Sequence, residues 1–212
     1  MSRAPIACVE GVALPLLLDN IDTDIIIPSR EMKSVGKTGL ADGLFAGWRY
    51  REIGSRDKNP DFLMNQQPFD RARIFIAGEN AGCGSSREHA VWALHEYGFR
   101  AVIAPSFNPI FRNNCVRNGV VPVQLAGDQA RALGEAVQDQ GGRQEVRIDL
   151  DAMTVSCGPL GPFPFALEED ARLMLRNGWD AIDLSLQHAG EIEAWRRADH
   201  ASRPWIYLED HI

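Results

Sequence analysis

The sequence of 212 residues has few cysteines and no long apolar run. Its four cysteines, Cys8, Cys83, Cys115 and Cys157, are far apart in the chain, which excludes compact zinc or ferredoxin spacings and a disulfide scaffold. No apolar run reaches the roughly 18 residues of a membrane-spanning helix, and no signal-peptide core follows the first residues. We therefore expect reduced thiols, no membrane partner and a cytoplasmic location.

Basic residues are fewer than acidic ones: the chain has 22 Lys and Arg residues and 29 Asp and Glu residues, and its formal net charge is −7. Binding to nucleic-acid phosphates needs clustered basic side chains, so no nucleic-acid partner is expected. A composition of 45% hydrophobic and 24% charged residues is typical of soluble globular proteins. The length predicts a single domain over 1–212, with 199–212 as a C-terminal extension.

Strand and helix patterns alternate along the chain, which predicts an α/β fold. Strands are predicted at 6–9, 12–18, 25–27, 73–77, 101–104 and 120–125, with a hairpin around 146–155. Helices are predicted at 88–97, 107–118 (capped by Ser106), 128–140, 167–176 and 184–197. The aromatic tail 204–208 needs a packing surface, for which we expect its own domain, with a subunit contact as the alternative.

The segment 82–89, GCGSSREH, lies between a predicted strand and a predicted helix. Its two glycines allow a tight turn, and the first helical turn presents unpaired N–H groups with partial positive charge. The guanidinium of Arg87 suits bidentate binding of a carboxylate. The pattern therefore predicts a site for a small dicarboxylate or a phosphate. However, Ser85 and Glu88 also have the spacing of a capping box, and the spacing alone favours that purely structural role.

Common catalytic templates do not match this segment. The phosphate loop, the third glycine of the dinucleotide motif and the serine-hydrolase elbow are absent. A thiol nucleophile, Cys83 with His89 or His95 as base, remains an alternative, although no residue is identified that would orient the base. The histidines have no metal-ligand spacing, so no metal site within this chain is expected. The segment 20–24, NIDTD, is by itself typical of a turn.

Three motifs in this order nevertheless resemble those of the 3-isopropylmalate dehydratase small subunits. The motifs are NIDTD at 20–24, GCGSSREHA at 82–90 and GFRAVIAPSF at 98–107, followed by Asn118-Gly119 before Val121-Pro122. The resemblance extends from about residue 6 to residue 195, and several ordered motifs are more specific than any one alone. One departure is Ala81, where family members commonly have an aromatic residue.

The resemblance implies a swivelling β/β/α three-layer domain like the aconitase C-terminal domain, and it implies roles for named residues. Ser85 would be the catalytic base, Ser86 and Arg87 would bind a substrate carboxylate, and Arg30 or Lys33 would add a basic group. The residues implied to support the loop are Gly82, Cys83, Gly84, Glu88, His89, Asp22, Thr23 and Asp24. No cofactor is expected on this chain, because the [4Fe-4S] cluster of the family, a Lewis acid for the leaving hydroxyl, is bound by a separate large subunit.

The implied reaction is the isomerisation of 2-isopropylmalate to 3-isopropylmalate through isopropylmaleate in leucine biosynthesis, by a heterodimer with the large subunit. A serine is a poor base unless its alkoxide is stabilised, and the helix start with Arg87 can supply that stabilisation. Two alternatives stay open. One is a sister hydro-lyase acting on citraconate, methylmalate or homoaconitate-like substrates, and the other is a non-catalytic anion-binding assembly subunit.

Overall fold

The computed structural model describes residues 4–32 and 36–207, which form two four-stranded sheets with helices. The strands are β1 Cys8–Gly11, β2 Ala13–Leu16, β3 Ile74–Ala77, β4 Ala101–Ala104, β5 Val121–Gln124, β6 Val146–Asp149, β7 Thr154–Cys157 and β8 Leu160–Pro164. The α-helices are α1 Thr23–Ile26, α2 Ala46–Arg49, α3 His89–Tyr97, α4 Pro109–Arg117, α5 Gly127–Asp139, α6 Glu169–Asn177, α7 Ala181–Leu186 and α8 Ala189–Ser202. Across these two ranges, no helix combines the length and the apolar character needed to cross a bilayer.

The first sheet is parallel, in the order β2-β3-β4-β5. Every residue of β3 and β4 is buried, as expected for central strands covered on both faces. Helix α3 connects β3 to β4, helix α4 connects β4 to β5, and α5 packs on β2, β3 and β4. The predicted unit of strand, helix and strand at 73–104 is confirmed.

The second sheet is antiparallel, in the order β1-β6-β7-β8. Alternate side chains of β6 and β7 are buried, among them Val146, Ile148 and Val155, which confirms the predicted hairpin. Helix α5 contacts β7 as well as the parallel sheet, and β1 contacts β3. One hydrophobic core therefore includes side chains from both sheets and from the helices, in agreement with the expected α/β class.

Two local predictions were wrong, in both cases because of the side chain that caps a helix. Residues 25–27 do not form a strand, since Asp22 Oδ1 accepts a hydrogen bond from Ile25 N–H at 2.7 Å and starts the single turn α1. A short apolar run does not distinguish a buried strand from a buried helical turn. Helix α4 is capped by Asn108 rather than by Ser106, whose Oγ accepts from Asn80 N–H.

Helix α8 lies outside the hydrophobic core, whereas Leu184 of α7 packs against that core. The helix predicted at 184–197 is divided into α7 and α8, and no residue of α8 is buried. The tail packs on α8, where the Tyr207 hydroxyl donates to Asp199 at 2.8 Å and the Tyr207 ring lies 4.9 Å from His200. Trp205 is 76% exposed. The tail therefore finds its packing surface on α8, while Leu208 lies outside the described residues.

Candidate functional site

The glycine-rich segment and the segment 20–24 meet at the carboxyl edge of the parallel sheet. The backbone N–H of Gly82 donates to the carbonyl of Ile21 at 2.8 Å, and the N–H of Thr23 donates to the carbonyl of Cys83 at 2.9 Å. Loops after neighbouring parallel strands lie at the same edge, which is where α/β proteins usually bind ligands. The two segments therefore form one site, which we call the active-site loop (82–88) and its support (20–24).

Glycine is required in the active-site loop because of close packing. Gly82 has φ +71°, and a Cβ built there would lie 2.0 Å from the ring of Phe111. Gly84 has φ +94° and would place a Cβ 3.3 Å from the side chain of Asp22. Ala81, at the start of this loop, is buried, and its N–H donates to the carbonyl of Ser106 at 3.0 Å. The loop is therefore held in one compact conformation.

Ser85 is held by Thr23. The two hydroxyl oxygens are 3.0 Å apart, and the backbone N–H of Ser85 donates to Thr23 Oγ1 at 3.2 Å. Thr23 is 1% exposed, whereas Ser85 is half-buried and accessible. The capping-box interpretation was wrong, since α3 begins only at His89 and Glu88 makes no side-chain cap. Ser85 is therefore fixed through a buried hydroxyl and not through the start of the helix.

Arg87 and Ser86 form the open end of the loop. Arg87 Nη1 donates to Asp24 Oδ1 at 2.6 Å, and both side chains are partly exposed. The Ser86 side chain is exposed as well. Among the described residues, the backbone N–H groups of Ser86 and Arg87 have no hydrogen-bond partner. The nine-residue helix α3 begins shortly after them, at His89, and free N–H groups at the start of a helix favour an anion.

The segment 36–41 is bound to the far end of α3 by Glu96, which the sequence reasoning missed. The Glu96 carboxylate accepts hydrogen bonds from the backbone N–H groups of Gly39, Leu40 and Ala41 at 2.7, 2.6 and 2.9 Å. Burial alone would raise the pKa of this carboxyl, but the three donors outweigh burial and the pKa lies below its ordinary value. The ionised carboxylate of Glu96 therefore holds the segment to α3 through three hydrogen bonds, and we call Glu96 its anchor.

Glu96→Gln weakens these hydrogen bonds and should lower the free energy of unfolding at neutral pH by about 1 kcal/mol. The loss is no larger because the carboxylate is partly exposed and solvent screens its hydrogen bonds. The lowered pKa means that the folded state binds fewer protons than the unfolded state near pH 4. The contribution of Glu96 is thus complete above the ordinary pKa of about 4.3 and is lost as the pH falls through the lower folded value. Urea unfolding between pH 7 and pH 3 measures the difference in free energy of unfolding between wild type and Glu96→Gln. The exposed Glu135→Gln is the control, and a difference from wild type that does not change with pH would contradict the assignment.

The basic residues expected after Pro28 are only partly placed. Arg30 is exposed, and its Nε lies 3.7 Å from the buried Glu31 carboxylate, which also accepts from Arg56 at 2.7 Å. Lys33 lies outside the described residues. A third basic residue, Lys37, was missed by the sequence reasoning and lies with its Nζ 5.0 Å from the ring centre of Trp92. The structure therefore joins Lys37 to α3 and leaves Arg30 paired with its neighbour.

The remaining residues of the loop argue against thiol chemistry. Burial, and next the negative charge of Asp22, raises the pKa of the Cys83 thiol, so the reactive thiolate is disfavoured. The ring of His89 packs against Trp92, with ring centres 4.7 Å apart. Glu88 accepts a hydrogen bond from Asn118 Nδ2 at 2.6 Å. The arrangement therefore disfavours Cys83 as a nucleophile.

The cysteines of the chain do not gather in the described part of the structure. Cys115 and Cys157 are buried, and burial raises the pKa of both thiols. Over residues 4–32 and 36–207, no three Cys, His, Asp or Glu side chains are grouped so that they could hold a metal ion.

Comparisons with known proteins identify the family of the chain. Residues 4–128 match the family model of the aconitase C-terminal domain. The chain is 48% identical over 205 residues to the 3-isopropylmalate dehydratase small subunit of Cupriavidus necator, covering 97% of this chain and 99% of that protein. It is 44% identical over 195 residues to the corresponding subunit of Rhodospirillum centenum, covering 92% and 95%.

A solved structure is also similar. The crystal structure of 3-isopropylmalate dehydratase (leuD) from Methanocaldococcus jannaschii superposes with a TM-score of 0.62 at 26% identity, covering 89% of this chain and 99% of that chain. Similarity over nearly the whole length of both chains includes the active-site loop and its support. The chain belongs to the family of 3-isopropylmalate dehydratase small subunits, which have the aconitase C-terminal domain fold.

Proposed function

We propose that this chain is the small subunit of a 3-isopropylmalate dehydratase, a cytoplasmic hydro-lyase of leucine biosynthesis. Together with a large subunit that carries a [4Fe-4S] cluster, it converts 2-isopropylmalate to 3-isopropylmalate through isopropylmaleate. The observation that carries this proposal is the placement of Ser85, whose hydroxyl lies 3.0 Å from that of Thr23 in the loop that also presents Arg87. The family of the chain supports the substrate.

Ser85 is the proposed base. In dehydration it takes the proton from the substrate carbon next to a carboxylate, and in rehydration it returns a proton to the neighbouring carbon. A serine hydroxyl is far too weak an acid to lose its proton unless the alkoxide is stabilised. Thr23 can donate its hydroxyl proton to that alkoxide, and Arg87 adds a positive charge at the same end of the loop. The chemistry therefore needs the serine together with its buried threonine partner.

Ser86 and Arg87 are the proposed carboxylate site. The backbone N–H groups of Ser86 and Arg87 and the remaining guanidinium N–H groups of Arg87 can donate to both oxygens of a carboxylate. Asp24 uses one guanidinium nitrogen, which fixes the direction of the other donors. As the proton leaves the adjacent carbon, negative charge builds on this carboxylate, so donors placed here stabilise the transition state.

The segment after Pro28 is the proposed contact for the rest of the substrate. It carries the basic candidates Arg30 and Lys33, and its continuation 36–41 is anchored to α3 by Glu96. A basic group here would bind the second carboxylate of the diacid. Helix α3 therefore connects the proposed base to the segment proposed to bind the second carboxylate.

Reconstitution tests the proposal. The full chain alone should show no isomerase activity and no iron–sulfur absorbance, and mixing it with the large subunit should give turnover of 2-isopropylmalate. Citraconate, methylmalate and homoaconitate are assayed in parallel as substrates of sister hydro-lyases. Turnover of one of these in preference to 2-isopropylmalate would overturn the substrate assignment, and activity of the isolated chain would overturn the division between subunits.

A further inference from the structure

The side chain of Asn118, directly after α4, makes four hydrogen bonds. Its Nδ2 donates to Glu88 Oε1 at 2.6 Å and to the carbonyl of Asn114 at 2.9 Å. Its Oδ1 accepts from Trp92 Nε1 at 3.0 Å and from Lys37 Nζ at 3.3 Å. Asn118 is 8% exposed. A primary amide has two donors and two acceptor positions, so all of them are used.

The orientation of this amide is fixed by the chemistry of its neighbours. Its nitrogen faces a carboxylate and a carbonyl, which accept but do not donate. Its oxygen faces an indole N–H and an ammonium group, which donate but do not accept. Turning the amide over would therefore replace four hydrogen bonds by four repulsive contacts, so a single arrangement is stable.

Two of the four partners of Asn118, Glu88 and Lys37, come from the two segments that form the proposed substrate site. Glu88 is the last residue of the active-site loop and follows Arg87 directly. Lys37 belongs to the segment 36–41, whose other end is anchored by Glu96. Trp92 lies one turn further along α3 and packs against His89. Asn118 is thus a point at which the loop with the base and the segment 36–41 are tied to each other.

We propose that Asn118 is a positioning residue, which holds Glu88 and Lys37 so that the active-site loop and the segment 36–41 keep a fixed relation to one substrate molecule. The inference rests on the proposed function, since it assumes that both segments contact substrate. It assigns a role to a buried amide that acts through Glu88 and Lys37. A satisfied buried network gives rigidity, and a network with one partner missing loses it.

Asn118→Asp separates the two sides of this network. The aspartate keeps an oxygen towards Lys37 and Trp92 but turns an acceptor towards the carboxylate of Glu88, so the hold on the active-site loop is lost. We expect kcat of the reconstituted enzyme to fall about 30-fold with KM changed less than about threefold. Lys37→Met removes only the other side and should raise KM about fivefold while kcat stays within about twofold.

A second substitution at Glu88 should rescue the defect. In Asn118→Asp/Glu88→Gln the new amide at position 88 can donate to the new carboxylate, which reverses the direction of the lost hydrogen bond. We expect this double variant to recover at least about tenfold in kcat relative to Asn118→Asp. Hydrogen exchange of the backbone amides 82–92 in the full chain alone should be faster in Asn118→Asp and should slow again in the double variant.

The outcomes separate this inference from the proposed function. Hydrogen exchange needs no substrate, so it reports on the loop even where the reaction has been misassigned. If exchange at 82–92 and kcat both stay unchanged in Asn118→Asp while Ser85→Ala is inactive, the inference on Asn118 is overturned and the proposed function stands. If Asn118→Asp fails to fold, the KM of Lys37→Met tests the inference instead, since Lys37 is an exposed residue. An unchanged KM in that variant contradicts the inference.

Discussion

Ser85→Ala should lower kcat of the reconstituted enzyme by about 10³-fold, within the range found when a general base is removed. The variant has no hydroxyl to take the substrate proton. Its backbone N–H can still donate to Thr23 Oγ1, as the N–H of Ser85 does at 3.2 Å, so the loop should keep its shape. The affinity for the diacid and the assembly with the large subunit should therefore be retained. Steady-state kinetics give kcat and KM, and size-exclusion chromatography of the mixed subunits reports on assembly.

Two control variants sharpen this experiment. Ser185→Ala changes an exposed serine of α7, outside the active-site loop, and should leave kcat within about twofold. Ser86→Ala removes a proposed carboxylate contact and should raise KM more than it lowers kcat. Activity of Ser85→Ala within about tenfold of wild type would show that the base has been misassigned, and a non-catalytic anion-binding role would then be favoured.

Gly82→Ala is the second change with a large expected effect. Gly82 has φ +71°, which costs a residue with a Cβ about 1–2 kcal/mol. The added Cβ would also lie 2.0 Å from the ring of Phe111, and overpacking of this kind costs about 1–3 kcal/mol. We expect the free energy of unfolding to fall by about 2–5 kcal/mol and the activity to be lost, because the loop that carries Ser85 has to move. Urea unfolding of the isolated chain gives the first quantity.

Gly47→Ala is the matched control. Gly47 is an exposed residue of α2, and a methyl group added there would meet no neighbouring atom within 4 Å, so alanine should be neutral or slightly stabilising. Phe111→Ala removes the ring atoms that the added methyl group would meet. In that background, Gly82→Ala should cost only the part of the free energy of unfolding that comes from its φ angle. An unfolding midpoint of Gly82→Ala equal to that of wild type would contradict the close packing described for this turn.

The parallel sheet was predictable from the sequence because its central strands are apolar runs separated by helical patterns. The runs at 74–77 and 101–104 are buried on both faces, so they need no alternation and are recognised by their length and by the residue that follows each, Gly78 and Pro105. The residues 25–27 are as apolar, but Asp22 decides their conformation by capping a helical turn. Whether a side chain caps depends on the local backbone, which composition does not report.

The active-site loop was predictable because its residues are neighbours in the chain. The segment 20–24 was expected to support it only through the resemblance. The contacts of Glu96 and Asn118 were not predicted, because each joins segments that are far apart in the sequence. Glu96 is an ordinary surface glutamate until the N–H groups of segment 39–41 are placed against it. The spacing of Ser85 and Glu88 indicated a cap, whereas the fold turns Ser85 to Thr23 and Glu88 to Asn118.

Helix α8 has a further consequence for how the chain responds to proteases. None of its 14 residues is buried, so unfolding this helix exposes little new apolar surface and costs little free energy. A helix of this length is marginal without tertiary packing, and its ion pair of Asp199 with Arg203 is exposed on one side to water. Residues 189–202 are therefore expected to open independently of the sheets and to be the first site of cleavage, with the two sheets left as a resistant fragment.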